Sequence, residues 1–230
     1  MQKNFIRAIY KWIEKNSILL KYGFKFRKTP CIDQNWNSIN YNRISAVNHY
    51  SRFIKNEVKY LEIGCNQNDL FDSVPFKNKI GVDPYSGGNI RLTSDDFFLE
   101  NKMVFNLIFI DGLHTYEQLH KDINNSLDVL DDDGYILLHD MLPRNWKECF
   151  VPPIQDYWLG DCWKVSYELI ESVGLDFYIL NIDNGVGVIQ KKNNYKVTLP
   201  DLSSKLKNFD FTNYLELRNR LTIIEMKDII

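Results

Sequence analysis

Short apolar runs that each stop at a glycine or an acid recur from residue 59 onward: KYLEIG (59–64), KIGVD (79–83), FNLIFID (105–111) and GYILLHD (134–140). Apolar stretches of this length without polar alternation predict strands covered on both faces. Between the last two, in TYEQLHKDINNSLDVL (115–130), Leu119, Ile123, Leu127 and Leu130 recur at steps of four, four and three, the stripe of an amphipathic helix. Strand, helix, strand is a βαβ unit. A further short strand is expected before RLTSDDFF (91–98), and a helix over 160–174. LDFYILNID (175–183) and VGVIQKK (186–192) read as strands joined by Asn184-Gly185, a hairpin signal. FTNYLELRNRLTIIEMKD (211–228) has helical periodicity. The alternation predicts an open, doubly wound α/β sheet with helices on both faces and ligands at the carboxyl ends of its strands. Asp131, Asp132 and Asp133 read as a solvated turn rather than a metal site.

This layout divides the chain into an amino-terminal helical cap or extension (1–41), a catalytic domain (42–195) and a carboxyl-terminal helical extension packed on the same domain (196–230). Its 230 residues, 44% hydrophobic, suffice for one full core. Lys plus Arg number 28 against 30 Asp plus Glu, a net charge of −2, which argues against a nucleic-acid partner. Residues 1–28 are the exception, with eight Lys or Arg against Glu14 alone. Charges interrupt their apolar residues too often for a signal peptide or a transmembrane segment. A helix covering the domain or a partner in a homo-oligomer is expected there, with a loose membrane-surface contact as the alternative. Cys31, Cys65, Cys149 and Cys162 are widely spaced without a C-x-x-C pair, the usage of reduced thiols in a cytoplasmic protein.

Chemistry gathers at the strand ends. After the first strand, where a dinucleotide fold would carry G-x-G-x-x-G, stand Glu62, Gly64 and the loop CNQND, which contains Asn66. A pyrophosphate needs close backbone approach and would be repelled by Glu62 and Asp69, so NAD fits poorly. A cationic, phosphate-free ligand tolerates those acids, and S-adenosylmethionine has that charge pattern. Asp83, at the end of the second strand, is placed to accept from ribose hydroxyls; Ser94 and Asp95 stand where an acid could accept from the adenine amino group. Asp111 and Asp140 end strands one βαβ unit apart and could meet on one rim. Two carboxylates facing each other need a cation or a proton between them, and oxygen ligands favour Mg²⁺, then Mn²⁺ or Ca²⁺.

YLEIG, GVDP, TSDDFF, FIDGLHTYEQ and GYILLHD, in that order, resemble the class I S-adenosylmethionine-dependent methyltransferases. More narrowly, the chain is similar over roughly residues 42–192 to the group related to macrocin O-methyltransferase and the cephalosporin hydroxylase-like proteins. The resemblance implies a Rossmann-like sheet of seven strands, six parallel and one antiparallel, S-adenosylmethionine as cofactor, and an enzyme that modifies sugars. It implies Asp111, His139 and Asp140 as ligands of a divalent metal, Mg or Mn, and His114 as the catalytic base working with Asp111. The sequence departs from the group twice. The cofactor loop reads G-C-N-Q-N, without the second and third glycines, and His139 replaces an acid, which shifts preference toward softer metals. His139 also joins Asp140 only if the strand has already ended, since neighbours on a strand point to opposite faces.

A sugar hydroxyl is a poor nucleophile at neutral pH, so a cation that lowers its pKa and an imidazole that takes its proton suit this set. Trp146 and Arg144, just after the metal loop, are weaker candidates for the acceptor, as a stacking face and an anion partner. The expectation is an O-methyltransferase acting on a sugar or sugar-nucleotide hydroxyl, a small-molecule substrate, in surface-polysaccharide or secondary-metabolite biosynthesis. The alternatives are N-methylation of an amine or amide, and a non-catalytic nucleotide-binding module of the same fold. His49 and His120 are expected to be structural.

Overall fold

A computed structural model describes residues 2–192, 197 and 199–230. Helix α1 (Gln2–Lys25) leads through an irregular segment into α2 (Arg43–Ser51), which starts at a capping box in which the Asn42 side chain accepts from Ile44 and Ser45 N–H. Then β1 (Lys59–Ile63), α3 (Asp69–Ser73), β2 (Asn78–Val82), α4 (Ser94–Glu100), β3 (Phe105–Ile110), α5 (Tyr116–Val129) and β4 (Leu130–Leu138) alternate as the apolar runs predict. Helix α6 (Val165–Glu171) precedes β5 (Leu175–Leu180) and β6 (Val186–Lys191), followed by α7 (Ser203–Leu206), α8 (Phe211–Arg218) and β7 (Ile223–Ile224).

The sheet order is β2-β1-β3-β4-β6-β5-β7, with only β6 antiparallel to its neighbours. Strand residues alternate between two apolar layers. Leu61, Ile63, Ile108, Ile110, Ile136 and Leu138 pack with Leu119, Ile123 and Leu127 of α5 and with Tyr214 and Leu217 of α8. Tyr60, Leu107, Phe109, Tyr135 and Leu137 pack with Ala46, Val47 and Tyr50 of α2 and Leu70 of α3. Both faces are covered, as the uninterrupted apolar runs require. Among the described residues, no helix is long and apolar enough to cross a membrane.

Four local expectations are corrected. The short strand before Thr93 is reduced to one bridge, Val82 to Ile90. The seventh strand comes instead from Ile223 and Ile224, inside the stretch read as a single helix. That helix ends at Arg218, and the β-branched run Thr222-Ile223-Ile224 finds the open edge of β5. The hairpin strands stop at Leu180 and restart at Val186, so five residues, 181–185, form the turn rather than two. Asp131–Asp133 lie within β4, solvent-exposed, where the pairing slips from Phe105↔Leu130 to Leu107↔Tyr135. The boundary placed between residues 195 and 196 falls outside the described residues.

Candidate functional site

The carboxyl ends of β1, β2 and β3 enclose a cavity of about 630 Å³ lined by Gly64, Asn66, Asp83, Ser94, Asp95, Asp111 and His114, with Tyr85, Leu113 and Gln118 completing its walls. Six of the seven residues expected to hold the cofactor therefore share one wall. Glu62 is the exception: only 2% exposed, it opens on an adjoining recess with Arg43 and Asp111. Burial pushes its carboxyl up to about 7, against the opposing hydrogen bond that Tyr60 Oη donates at 2.6 Å. Asp83 faces the cavity with its oxygens already in use. Asn66 N–H donates to one at 2.9 Å, and Tyr85 and Ser86 N–H to the other at 2.8 Å, so it organises the loops after β1 and β2. Gln118 Nε2 ties Ser94 and Asp95 to α5, at 3.1 and 2.9 Å.

Gly64 sets how closely the two strand ends approach. It has φ +84°, and a Cβ there would lie 2.1 Å from the carbonyl oxygen of Asp111. Only glycine permits both the left-handed turn and this contact.

On the other side of Asp111 is a compact cluster. His139 Nδ1 lies 3.2 Å from Asp111 Oδ1 and 3.2 Å from Asp140 Oδ1; His114 Nε2 lies 3.1 Å from Asp111 Oδ1, and its Nδ1 3.1 Å from Asp140 Oδ2. The last contact is close but not aligned as a hydrogen bond, which leaves the buried Nδ1 without a partner. The question of how adjacent residues share one face is answered by the backbone: β4 ends at Leu138, and Asp140 takes φ 61°, turning its carboxylate back beside His139. Left-handed backbone is tolerated by Asp more readily than by most residues.

Electrostatics follow from this packing. Burial alone would raise Asp111, but the charge of His139 and the hydrogen bond from His114 outweigh it and hold the carboxyl well below the usual range. Burial and the charge of Asp111 raise Asp140. Burial would lower both imidazoles. The hydrogen bond that His114 donates to Asp111 and the field of Asp140 raise His114 instead, and the two aspartates raise His139 well above its ordinary value.

The cluster recruits residues that the sequence pattern did not single out. Asp183, Asn184 and Gly185 all have positive φ, and this left-handed turn brings Asp183 Oδ1 to 3.6 Å from His139 Nε2 and lets Asn184 Nδ2 donate to Asp140 Oδ1 at 3.0 Å. Arg43 secures Asp183 through its backbone N–H at 3.0 Å and Nη1 at 3.1 Å. The run D-N-G, three residues suited to left-handed backbone, was the available signal.

The acceptor candidates are displaced. Trp146 stands in the core, stacked on Phe26 at 5.2 Å, and lines a different cavity; the ring against the cluster is Trp158, stacked on His114 at 5.6 Å. Arg144 is held by Glu148, 1% exposed, at 2.7 and 2.9 Å, which neutralises the charge expected to meet an acidic acceptor. His49 packs edge-on against Tyr50, and His120 bonds to Glu168 at 2.7 Å, both in structural surroundings.

The metal expectation can be tested on the donors. Asp111, His139 and Asp140 offer three ligand atoms within 4.8 Å of one another. Two ligands at about 2.1 Å from one ion stand roughly 3.0 to 3.4 Å apart between octahedral and tetrahedral angles, and the 3.2 Å separations fall in that interval. The residues fit a divalent ion with mixed oxygen and nitrogen ligands.

Residues 41–141 match the model of a family described as a methyltransferase domain, a stretch that contains both the cavity and the Asp111–Asp140 cluster. Over these residues, fewer than half of the 230, the chain is similar to a methyltransferase domain. No curated protein matches the chain. Among solved structures, the chain is similar to MycE of the mycinamycin biosynthetic pathway, in complex with Mg and SAH, at 16% identity over 68% of this chain and 51% of that one, with a TM-score of 0.45. It is also similar to the SAH-bound Podospora anserina methyltransferase PaMTH1, at 17% identity over 84% and 97% with a TM-score of 0.47. A Corynebacterium glutamicum protein shares 12% identity over 85% and 99%, with a TM-score of 0.48. The chain spans about half the length of the MycE structures it resembles.

Proposed function

We propose that this methyltransferase places its methyl group on a hydroxyl oxygen of a sugar or sugar nucleotide, with His114 as base and with Asp111, His139 and Asp140 holding a divalent ion. The observation that carries this reading is the position of His114: its imidazole lies 3.1 Å from both Asp111 and Asp140 on the rim of the cofactor cavity, and it is one of the residues lining that cavity. A bound ion would supply a Lewis acid that lowers the acceptor hydroxyl pKa.

The chain's own groups do the rest. Gly64, Asn66, Ser94 and Asp95 shape the cavity wall, the Asp95 carboxylate accepting from Gln118 Nε2 and Lys121 Nζ. Trp158 stacks on one face of the His114 ring. His114 is a base only when neutral, whereas the two carboxylates hold its proton. Positive charge held by Asp111 and Asp140 would offset the field that raises His114 and so favour its neutral, basic form. General-base assistance of this kind contributes about 10²- to 10⁴-fold.

One observation favours a second reading, methylation of a nitrogen without metal: the two imidazoles already balance the two carboxylates. Methyl transfer from labelled S-adenosylmethionine to a panel of sugar nucleotides and amines, with and without EDTA, separates the two. We expect transfer to a sugar hydroxyl that EDTA abolishes and Mn²⁺ or Mg²⁺ restores, and a fall of at least about 10²-fold for His114→Ala with S-adenosylmethionine affinity unchanged. EDTA-resistant transfer to an amine would replace the oxygen reading with the nitrogen one.

A further inference from the structure

Helix α1 has two apolar faces and the domain uses one of them. On the inner face, Tyr22 meets Phe150 edge-on at 4.7 Å, Phe26 stacks on Trp146, and Ile18 and Leu19 pack against the core. On the outer face, Ile13, Leu20 and Phe24 project within about 40° of one another at the helical step of roughly 100° per residue. They are 48%, 78% and 79% exposed, and Trp12, roughly 80 to 120° around the helix from them, is 66% exposed. Scattered single apolar residues on a surface need no explanation, but four large ones on one helix do.

The charge around this face selects its partner. Residues 1–28 hold eight Lys or Arg and one acid, a net of +7. The remaining chain then holds 20 basic and 29 acidic residues (28 − 8 and 30 − 1), a net of −9. Positive charge is thus concentrated on and just after α1, where Lys21 flanks the apolar stripe and Arg27 and Lys28 follow it, all exposed. Two copies joined through this face would bring two +7 segments together, which disfavours self-pairing. A nucleic acid would answer the charge and leave the aliphatic side chains in water. A lipid bilayer with anionic headgroups satisfies both features: the apolar stripe enters the headgroup boundary, Trp12 flanks it at the interface, and Lys21, Arg27 and Lys28 meet lipid phosphates.

We infer that α1 lays the face carrying Ile13, Leu20 and Phe24 on an anionic lipid surface and so attaches the enzyme peripherally to a membrane. This inference is independent of the acceptor reading. The test is co-sedimentation of the full chain with vesicles of phosphatidylcholine alone or with phosphatidylglycerol added. Retention on the anionic vesicles should exceed that on neutral ones by roughly tenfold, and should fall as NaCl rises from about 0.1 to about 0.5 M and shortens the screening length.

Replacing Leu20 and Phe24 together by Ser keeps the charge and removes the apolar stripe. It should lower retention at least about tenfold while the melting temperature and S-adenosylmethionine affinity hold, because both side chains lie outside the core. No retention on either vesicle, equal retention on both, or full retention by the double variant would each overturn the inference. So would light scattering that shows a dimer split by the same substitutions, which would assign the face to a second copy.

Discussion

At Asp140 the chain leaves β4 with φ 61°, and this one dihedral angle places two neighbouring side chains on the same side of the sheet rim. Glu62 illustrates how burial acts on a single carboxylate. Its unfolded value is near 4.5 and its folded value about 7, so between these limits the folded chain holds a proton that the unfolded chain releases. Stability contributed at this position is therefore greatest at acid pH, declines as the pH rises from 4.5 to 7, and stays low above that. Glu62→Gln removes the ionisation and keeps an acceptor for Tyr60 Oη. In the absence of cofactor it should be more stable than the parent at pH 8, by at most about 3 kcal/mol, the gap closing toward pH 4.5. Urea denaturation at a series of pH values measures this; parallel curves for the two proteins would refute it.

At the scale of elements, the rim is shaped by how closely strand ends approach, above all where β1 meets β3. Gly64→Ala would push a methyl group into the Asp111 carbonyl and strain a left-handed backbone, parting the two ends that wall the cavity. The expected result is a loss of about tenfold or more in S-adenosylmethionine affinity by calorimetry, with destabilisation of about 1 to 3 kcal/mol. Unchanged affinity would mean that the cofactor does not depend on this junction. Strands β1 to β4 and helix α5 were legible in the sequence because a strand buried on both faces and a helix with one buried stripe each leave a local periodic mark. Strand β7 left none: two isoleucines become a strand only because the edge of β5, more than forty residues earlier, is open. The same reason hid Asp183 and Trp158, which reach His139 and His114 through a turn and a loop whose paths depend on distant packing. Asp111, His114, His139 and Asp140 were readable because each lies within two residues of a strand end or helix start.

For the molecule as a whole, one buried carboxylate joins three parts of the chain. Glu168 of α6, fully buried, accepts from Tyr116 Oη of α5 at 2.6 Å and from the backbone N–H of Leu202 at 2.9 Å, and pairs with His120 at 2.7 Å. It thereby fastens the segment leading into α7 against the helix that begins beside His114. Glu168→Ala would strand these donors in the interior, at a cost of about 3 to 5 kcal/mol. A melting temperature within a degree or two of the parent would show that water replaces the carboxylate freely.

The direction of β5 has a consequence for the rim. Because β5 runs with β1 to β4 and β6 alone runs against them, the five-residue turn between them opens on the same rim as the cofactor cavity, yet lies beyond residues 41–141. A change in residues 181–185 would therefore reach the Asp111–Asp140 cluster through Asp183 and Asn184 while leaving the stretch matched by the family model untouched.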